Sequence, residues 1–125
     1  MRIATWNVNS LKARLEKVSW WLERVKPDVL LLQETKLSDA DAQLAVLEQH
    51  GYQFAHHGEG RWNGVAIASR VGLQDVVTNY GAPLQAAKTP DVGDDELLAE
   101  ARMIAARCAG VRGVSIYAPN GRVLG

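Results

Sequence analysis

The apolar positions change period along the chain, and that change lays out the expected elements. Residues 2–7 alternate in character, with Ile3, Thr5 and Trp6 favouring a strand. Leu11, Leu15, Val18, Leu22 and Val25 then recur at intervals of four, three, four and three, which is one face of a helix. Ser10 is placed to cap that helix and Pro27 to end it, since proline drives the residue before it out of the α region. Val29, Leu30, Leu31 and Leu32 form an aliphatic run with no polar side, as in a strand buried on both faces. Strand, helix and strand make a βαβ unit with parallel strands. Parallel strands end on one edge, so Asn7 and Glu34 should emerge side by side.

Beyond this unit the helical period fades. Ser38 with Asp41 suggests a capped second helix, with Leu44 and Leu47 on its apolar stripe and Gly51 as its left-handed stop. Residues 52–57, 64–70 and 73–78 read as three short antiparallel strands, with turns at Gly58-Glu59-Gly60 and Val71-Gly72. Residues 79–96, with Gly81, Pro83, Pro90 and Gly93, read as a surface loop. Residues 99–108 and 111–118 read as a hairpin about Ala109-Gly110, and Pro119-Asn120-Gly121 as a closing turn. The class is α/β (α+β).

Composition adds exclusions rather than a function. The 125 residues are 47% apolar and 22% charged, within the ordinary range for one globular domain. A formal net charge of +0 gives no global field for a polyanion, so a nucleic-acid partner must be met by local Arg and Lys clusters. The lone Cys108 permits no internal disulfide. The longest aliphatic run is far too short to cross a bilayer, and residues 1–6 hold no apolar signal core. The expected setting is cytoplasmic, away from membranes.

Two stretches carry candidate chemistry. Asn7, Asn9 and Glu34 bring one carboxylate and two amides to a strand-end rim, where open α/β sheets bind ligands. Mg²⁺ takes such oxygens together with water and substrate phosphate. One carboxylate is an incomplete site, and Asn7 can equally be a turn former. Tyr117, Asn120 and Arg122 place a phenol, an amide and a guanidinium in one loop, all able to donate to phosphate oxygens. A packing tyrosine before a routine turn would look the same. Arg102, a charge inside a strand, is a further phosphate contact or an exposed face. Arg61-Trp62-Asn63-Gly64 is a hairpin tip, expected to carry a half-buried tryptophan. His56 and His57 should point to opposite strand faces and so cannot chelate together. Gly58, Gly60 and Gly64 lack the Lys-Ser/Thr of a P-loop.

Thr5-Trp6-Asn7-Val8-Asn9-Ser10-Leu11 followed by Leu32-Gln33-Glu34-Thr35-Lys36 resembles the N-terminal motifs of the exonuclease III family. Residues 61–67, 100–104 and 117–122 resemble later blocks of that family, in order. The family comprises Mg²⁺-dependent apurinic/apyrimidinic endonucleases and 3′-exonucleases of base-excision repair. The resemblance implies half of a four-layer α/β sandwich, read here as one mixed β-sheet flanked by helices. It assigns catalytic roles to Asn7, Glu34 and Tyr117, with Glu34 and Asn7 at the metal (Mg²⁺, or Mn²⁺ in its place). It assigns DNA contacts to Asn9, Lys36, Arg102, Asn120 and Arg122, Asn9 standing where some members carry aspartate. The implied partner is double-stranded DNA with abasic sites or 3′ ends. The family's Asp-x-Asn motif and C-terminal Asp-His pair have no counterpart here, so residues 1–125 are expected to be the N-terminal half of such a domain, truncated at its C-terminus. A complementing C-terminal half is then an expected partner. The alternative is a non-catalytic fragment that binds DNA or that half.

Overall fold

The computed structural model describes residues 1–39, 41–42, 45–60, 62–78 and 102–117. The expected βαβ unit opens the chain: β1 (Ile3–Asn7), α1 (Leu11–Val25) and β2 (Val29–Gln33). Ser10 Oγ accepts the Ala13 N–H at 3.3 Å, and Lys26 closes α1 in the left-handed region, donating its N–H to Leu22 O. β1 and β2 are parallel, with Asn7 opposite Gln33.

α2 (Ala45–Gln49) is shorter than the helix expected from Ser38. Ser38 Oγ does receive the Asp41 N–H at 3.2 Å, but Ser38 is also bridged to Glu59. The Asp39 carboxylate is drawn instead to His56 and to the Gly58 N–H. Ser38 thus sits in a bridge, and Asp39 and residues 41–42 form turns; Ala40 and Leu44 lie outside the described residues. Gly51, at φ +85°, follows α2 as the expected left-handed stop.

The remaining strands are β3 (Gln53–His57), β4 (Val65–Ser69), β5 (Gln74–Thr78), β6 (Met103–Cys108) and β7 (Val111–Ile116). The α/β class is as expected, but the strands divide between two sheets where one mixed sheet was anticipated. The first is mixed, in the order β1-β2-β4-β3; the second is antiparallel, in the order β5-β6-β7. The expected loop over residues 79–96, residues 99–101 of the expected strand and the closing turn lie outside the described residues.

Strand parity explains the division. Leu30 and Leu32 of β2, with Ala66 and Ala68 of β4, turn one way and pack with Leu11, Val18 and Leu22 of α1. Val29, Val65 and Ile67 turn the other way and pack with Ile104, Ala106 and Cys108 of β6. The sheet face that a single-sheet fragment would expose is therefore covered from within the same chain. Exposure moves outward, to the far side of β7, where Val114 and Ile116 are 40% and 47% exposed.

At the end of β2 away from the Gln33 rim, Asp28 fastens the sheet. Its carboxylate accepts the Arg2 N–H at 2.7 Å and pairs with the Arg70 guanidinium at 3.0 Å. Those partners hold its carboxyl below the usual carboxylate range.

Candidate active site at the strand rim

The parallel pairing of β1 with β2 delivers Asn7 and Glu34 to one edge, as the βαβ reading required. Asn7 Nδ2 donates to Glu34 Oε1 at 3.2 Å. Asn7 Oδ1 accepts the Asn9 N–H at 3.1 Å. Lys36 Nζ donates to Asn9 Oδ1 at 2.7 Å and lies 3.9 Å from Glu34 Oε2. Four of the residues singled out from sequence, distributed over two segments, thus form one connected polar group. Glu34 and Lys36 side chains are 21% and 33% exposed, so the group opens to solvent while staying partly screened from it.

The backbone bends sharply to make this possible. Asn9, Ser10, Glu34 and Lys36 all adopt positive φ, a conformation that persists in residues with a Cβ only where the surroundings over-determine it. The surroundings do so here. Ser10 and Leu11 donate their N–H groups to Glu34 O and Thr35 O at 2.8 and 2.9 Å. Thr35 and Lys36 donate theirs to Gly64 O and Asn63 O at 3.1 and 2.9 Å. Gly64, at φ +97°, has to lack a side chain, because a Cβ there would run into Thr35 Oγ1.

The second sheet is tied to the same rim. Gln33 Nε2 donates both to Thr5 Oγ1 at 2.9 Å and to Ser115 Oγ at 3.0 Å. Ser115 Oγ donates in turn to Leu32 O at 2.8 Å. This buried tie fixes β7 against β2 one residue before Glu34. Tyr117, two residues past Ser115, packs against the inter-sheet cluster and donates its N–H to Arg102 O at 2.8 Å. Tyr117 and Arg102 are thereby neighbours on the second sheet. Asn120 and Arg122 lie outside the described residues, as does Arg61. Trp62 is 64% exposed rather than half-buried.

Sequence reading passed over Gln33, Ser115 and Thr35. Gln33 had a usable signal: it continues the inward parity of Val29 and Leu31, where a polar side chain must find partners. His56 and His57 do face opposite ways, since His56 pairs with Ala66 and His57 with Val65. His56 is buried against Thr35 and Asp39. Burial pushes its pKa below the ordinary value of 6.5, against the opposing pull of Asp39. Among the described residues no cluster of three or more His, Cys, Asp or Glu side chains is set to hold a metal. Glu34 is the carboxylate of the rim group.

Two packed sheets of a mixed α/β fold thus carry a carboxylate–amide rim at the shared end of two parallel strands. Residues 4–107 match the model of the endonuclease/exonuclease/phosphatase family, and the chain belongs to that family. An exodeoxyribonuclease from Bacillus subtilis is 29% identical over 124 residues, covering 98% of this chain and 44% of that protein. An AP endonuclease structure from Archaeoglobus fulgidus superposes with a TM-score of 0.77 at 35% identity, over 95% of this chain and 41% of the other. A 3′ phosphatase from Neisseria, bound to a product DNA hairpin, superposes with a TM-score of 0.79 at 40% identity, over 97% and 42%. The chain spans less than half the length of each of these relatives.

Proposed function

We propose that this chain carries the Glu34 portion of the active site of a Mg²⁺-dependent DNA repair nuclease of exonuclease III type. Such an enzyme hydrolyses the phosphodiester 5′ to an abasic site and trims 3′ ends. The observation that carries the reading is the Asn7–Glu34 contact at the shared end of two parallel strands. The similarity to an exodeoxyribonuclease, an AP endonuclease and a DNA-bound 3′ phosphatase supports DNA as the substrate class.

The donor chemistry fits a hard cation. Among the described residues Glu34 receives one hydrogen bond, from Asn7, and has the Lys36 ammonium near its other oxygen. A carboxylate has about four lone-pair sites, so acceptor capacity is left over. Glu34, with Asn7 beside it, would hold Mg²⁺, which keeps much of its coordination as water and substrate oxygen. When bound, the ion would polarise the phosphoryl oxygen and offset the charge that develops there.

In this reading Asn7 orients the Glu34 carboxylate, and Tyr117 donates its phenol to the scissile phosphate. Lys36, Asn9, Arg102, Asn120 and Arg122 hold the DNA backbone. The exposed Trp62 ring extends the surface offered to a groove. Activation of the attacking water is assigned to residues beyond those of this chain, contributed by a C-terminal half.

The test uses the full 125-residue chain and its Glu34→Ala variant. Mn²⁺ binding, read from the electron paramagnetic resonance of the free ion, should be lost in the variant. Any Mg²⁺-dependent cleavage of a duplex bearing one abasic site should fall by more than about 100-fold, the upper range for disturbing a ligand's support alone. Equal Mn²⁺ binding by both proteins, or cleavage that survives the substitution, would sink the reading.

A further inference from the structure

Of the three residues in the bend that carries Glu34, Thr35 is fully buried, while its neighbours hold positive φ on either side. The four backbone bonds described above tie the bend to residues 10–11 and 63–64. The Thr35 side chain adds a tie in a third direction. Its hydroxyl lies 2.7 Å from His56 Nε2. The other ring nitrogen, Nδ1, lies 2.8 Å from Asp39 Oδ1, which also accepts the Gly58 N–H at 2.9 Å.

The direction of these bonds follows from the chemistry. A carboxylate only accepts, so Nδ1 carries the ring proton and Nε2 is left to accept from the Thr35 hydroxyl. The ring cannot easily rotate away. Its side chain is 5% exposed, and Phe54 stacks on it with centroids 6.0 Å apart and planes 22° from parallel. Gly64 presses on Thr35 Oγ1, where a Cβ would find no room. The hydroxyl is therefore gripped between a histidine and a glycine, and the peptide units on either side of it carry Glu34 and Lys36.

We infer that Asp39 and His56 are positioning residues for the Glu34 carboxylate, acting through the buried Thr35 hydroxyl. Neither belongs to the rim group itself. Their functional meaning rests on the reading of Glu34 given above, but the mechanical claim concerns this chain alone. Asp39 fixes the ring's tautomer and orientation, the ring fixes the hydroxyl, and the hydroxyl stops the bend from relaxing out of its strained conformation. This is the arrangement by which an outer carboxylate–histidine pair sharpens a site without touching the substrate.

Four variants of the full chain test it. Thr35→Val keeps the shape of the side chain and removes the hydroxyl, Thr35→Ser keeps the hydroxyl, Asp39→Ala removes the carboxylate, and Asp39→Asn keeps an acceptor. In metal-free protein, amide exchange at Thr35 and Lys36 should speed up about tenfold in Thr35→Val and Asp39→Ala, the effect of losing one buried hydrogen bond. Exchange at Leu22 in α1 should stay unchanged, and Thr35→Ser and Asp39→Asn should stay within about threefold of the parent. The Mn²⁺ midpoint should rise about tenfold in the first pair alone.

Unchanged exchange at Thr35 and Lys36 would overturn the inference. So would a loss of protection shared equally by Leu22, because that is general destabilisation. Loosened exchange with an unmoved Mn²⁺ midpoint would overturn the positioning role. Should Glu34→Ala bind Mn²⁺ as well as the parent does, the metal-ligand reading fails, and the exchange measurements still decide whether Asp39 and His56 hold the bend.

Discussion

β4 and β1 lie in one sheet, separated only by β2, yet they live in different solvents. Every residue of β4 is buried, whereas β1 alternates between exposed and half-buried. Both strands lay one face on the α1 side of the sheet, where Ala66 and Ala68, or Ala4 and Trp6, pack. The difference is on the opposite face. β6 covers β4, β7 reaches as far as β2, and among the described residues no strand continues past β7. Ile3, Thr5 and Asn7 are left open.

The proposed site sits where the cover stops. Asn7 is the last residue of the open parity, and Glu34 follows the Gln33 that ties the sheets together. A covered flank gives a carboxylate a fixed position; an open flank leaves it accessible from solvent. This fold supplies both within a few residues.

The largest effect should come from the covered flank. Ile67 sits at the centre of β4, wholly buried between the sheets. Ile67→Ala should destabilise the chain by about 2–5 kcal/mol, through lost transfer energy and the cavity left behind. The shift of the urea midpoint at constant slope measures it. A loss below about 1 kcal/mol would mean that the inter-sheet core closes over the gap and is less tightly built than its burial implies.

Next comes the junction between the flanks. Gly64→Ala would strain a residue at positive φ and force its Cβ against Thr35 Oγ1. About 1–3 kcal/mol of stability should go, the range for overpacking, and Mn²⁺ binding at Glu34 should weaken with it. Retained metal binding in a destabilised Gly64→Ala protein would separate the rim from the core and break the comparison.

How legible this was depends on the range of the interaction concerned. The Asn7–Glu34 neighbourhood could be read because parallel βαβ geometry forces it, whichever residues bound the helix. α1 could be read because its apolar period, its Ser10 cap and its proline stop agree with one another. The partition of strands into two sheets could not, since a period of two says that a residue faces inward but not which strand lies opposite. The Thr35–His56–Asp39 group spans sequence separations of 21 and 17, and no local pattern marks it. Ser38 and Asp41 carried a true capping signal, but Ser38 also bridges Glu59, and the intervening Asp39 is claimed by His56 and Gly58. There a tertiary contact overrode a local preference.

A smaller effect should appear as a dependence on pH. The His56 pKa lies below its ordinary value of 6.5 because burial disfavours the imidazolium, against the opposing pull of Asp39. The unfolded chain therefore takes up its proton at a higher pH than the folded one. Stability from this source is complete above about pH 6.5 and is lost as pH falls from there through the folded-state pKa. Urea midpoints at pH 8, 7, 6 and 5.5 should decline on the acid side only, and His56→Gln should flatten that decline. A midpoint that rises on acidification over this range would show that Asp39 outweighs burial. Asp28, with its pKa held below 3.8, acts in a separate and more acid window.

The smallest effect belongs to the open flank, and it tests the comparison most sharply. Ile3 points to the same side of the sheet as Ile67 but is 45% exposed. Ile3→Ala should change stability by no more than about 0.5 kcal/mol, as at other exposed positions, with the urea midpoint nearly unmoved. Ile3 and Ile67 offer the same side chain, so any difference between the two alanine variants comes from cover alone. A loss at Ile3 approaching that at Ile67 would mean that something covers β1 in solution, and a second copy of the chain is the candidate present in the tube. That loss would then grow with protein concentration, because association stabilises by mass action, whereas a loss from within a single chain would not. The same cover would shield Asn7, so the outcome at Ile3 also decides whether the rim stands open to a DNA backbone in the isolated chain.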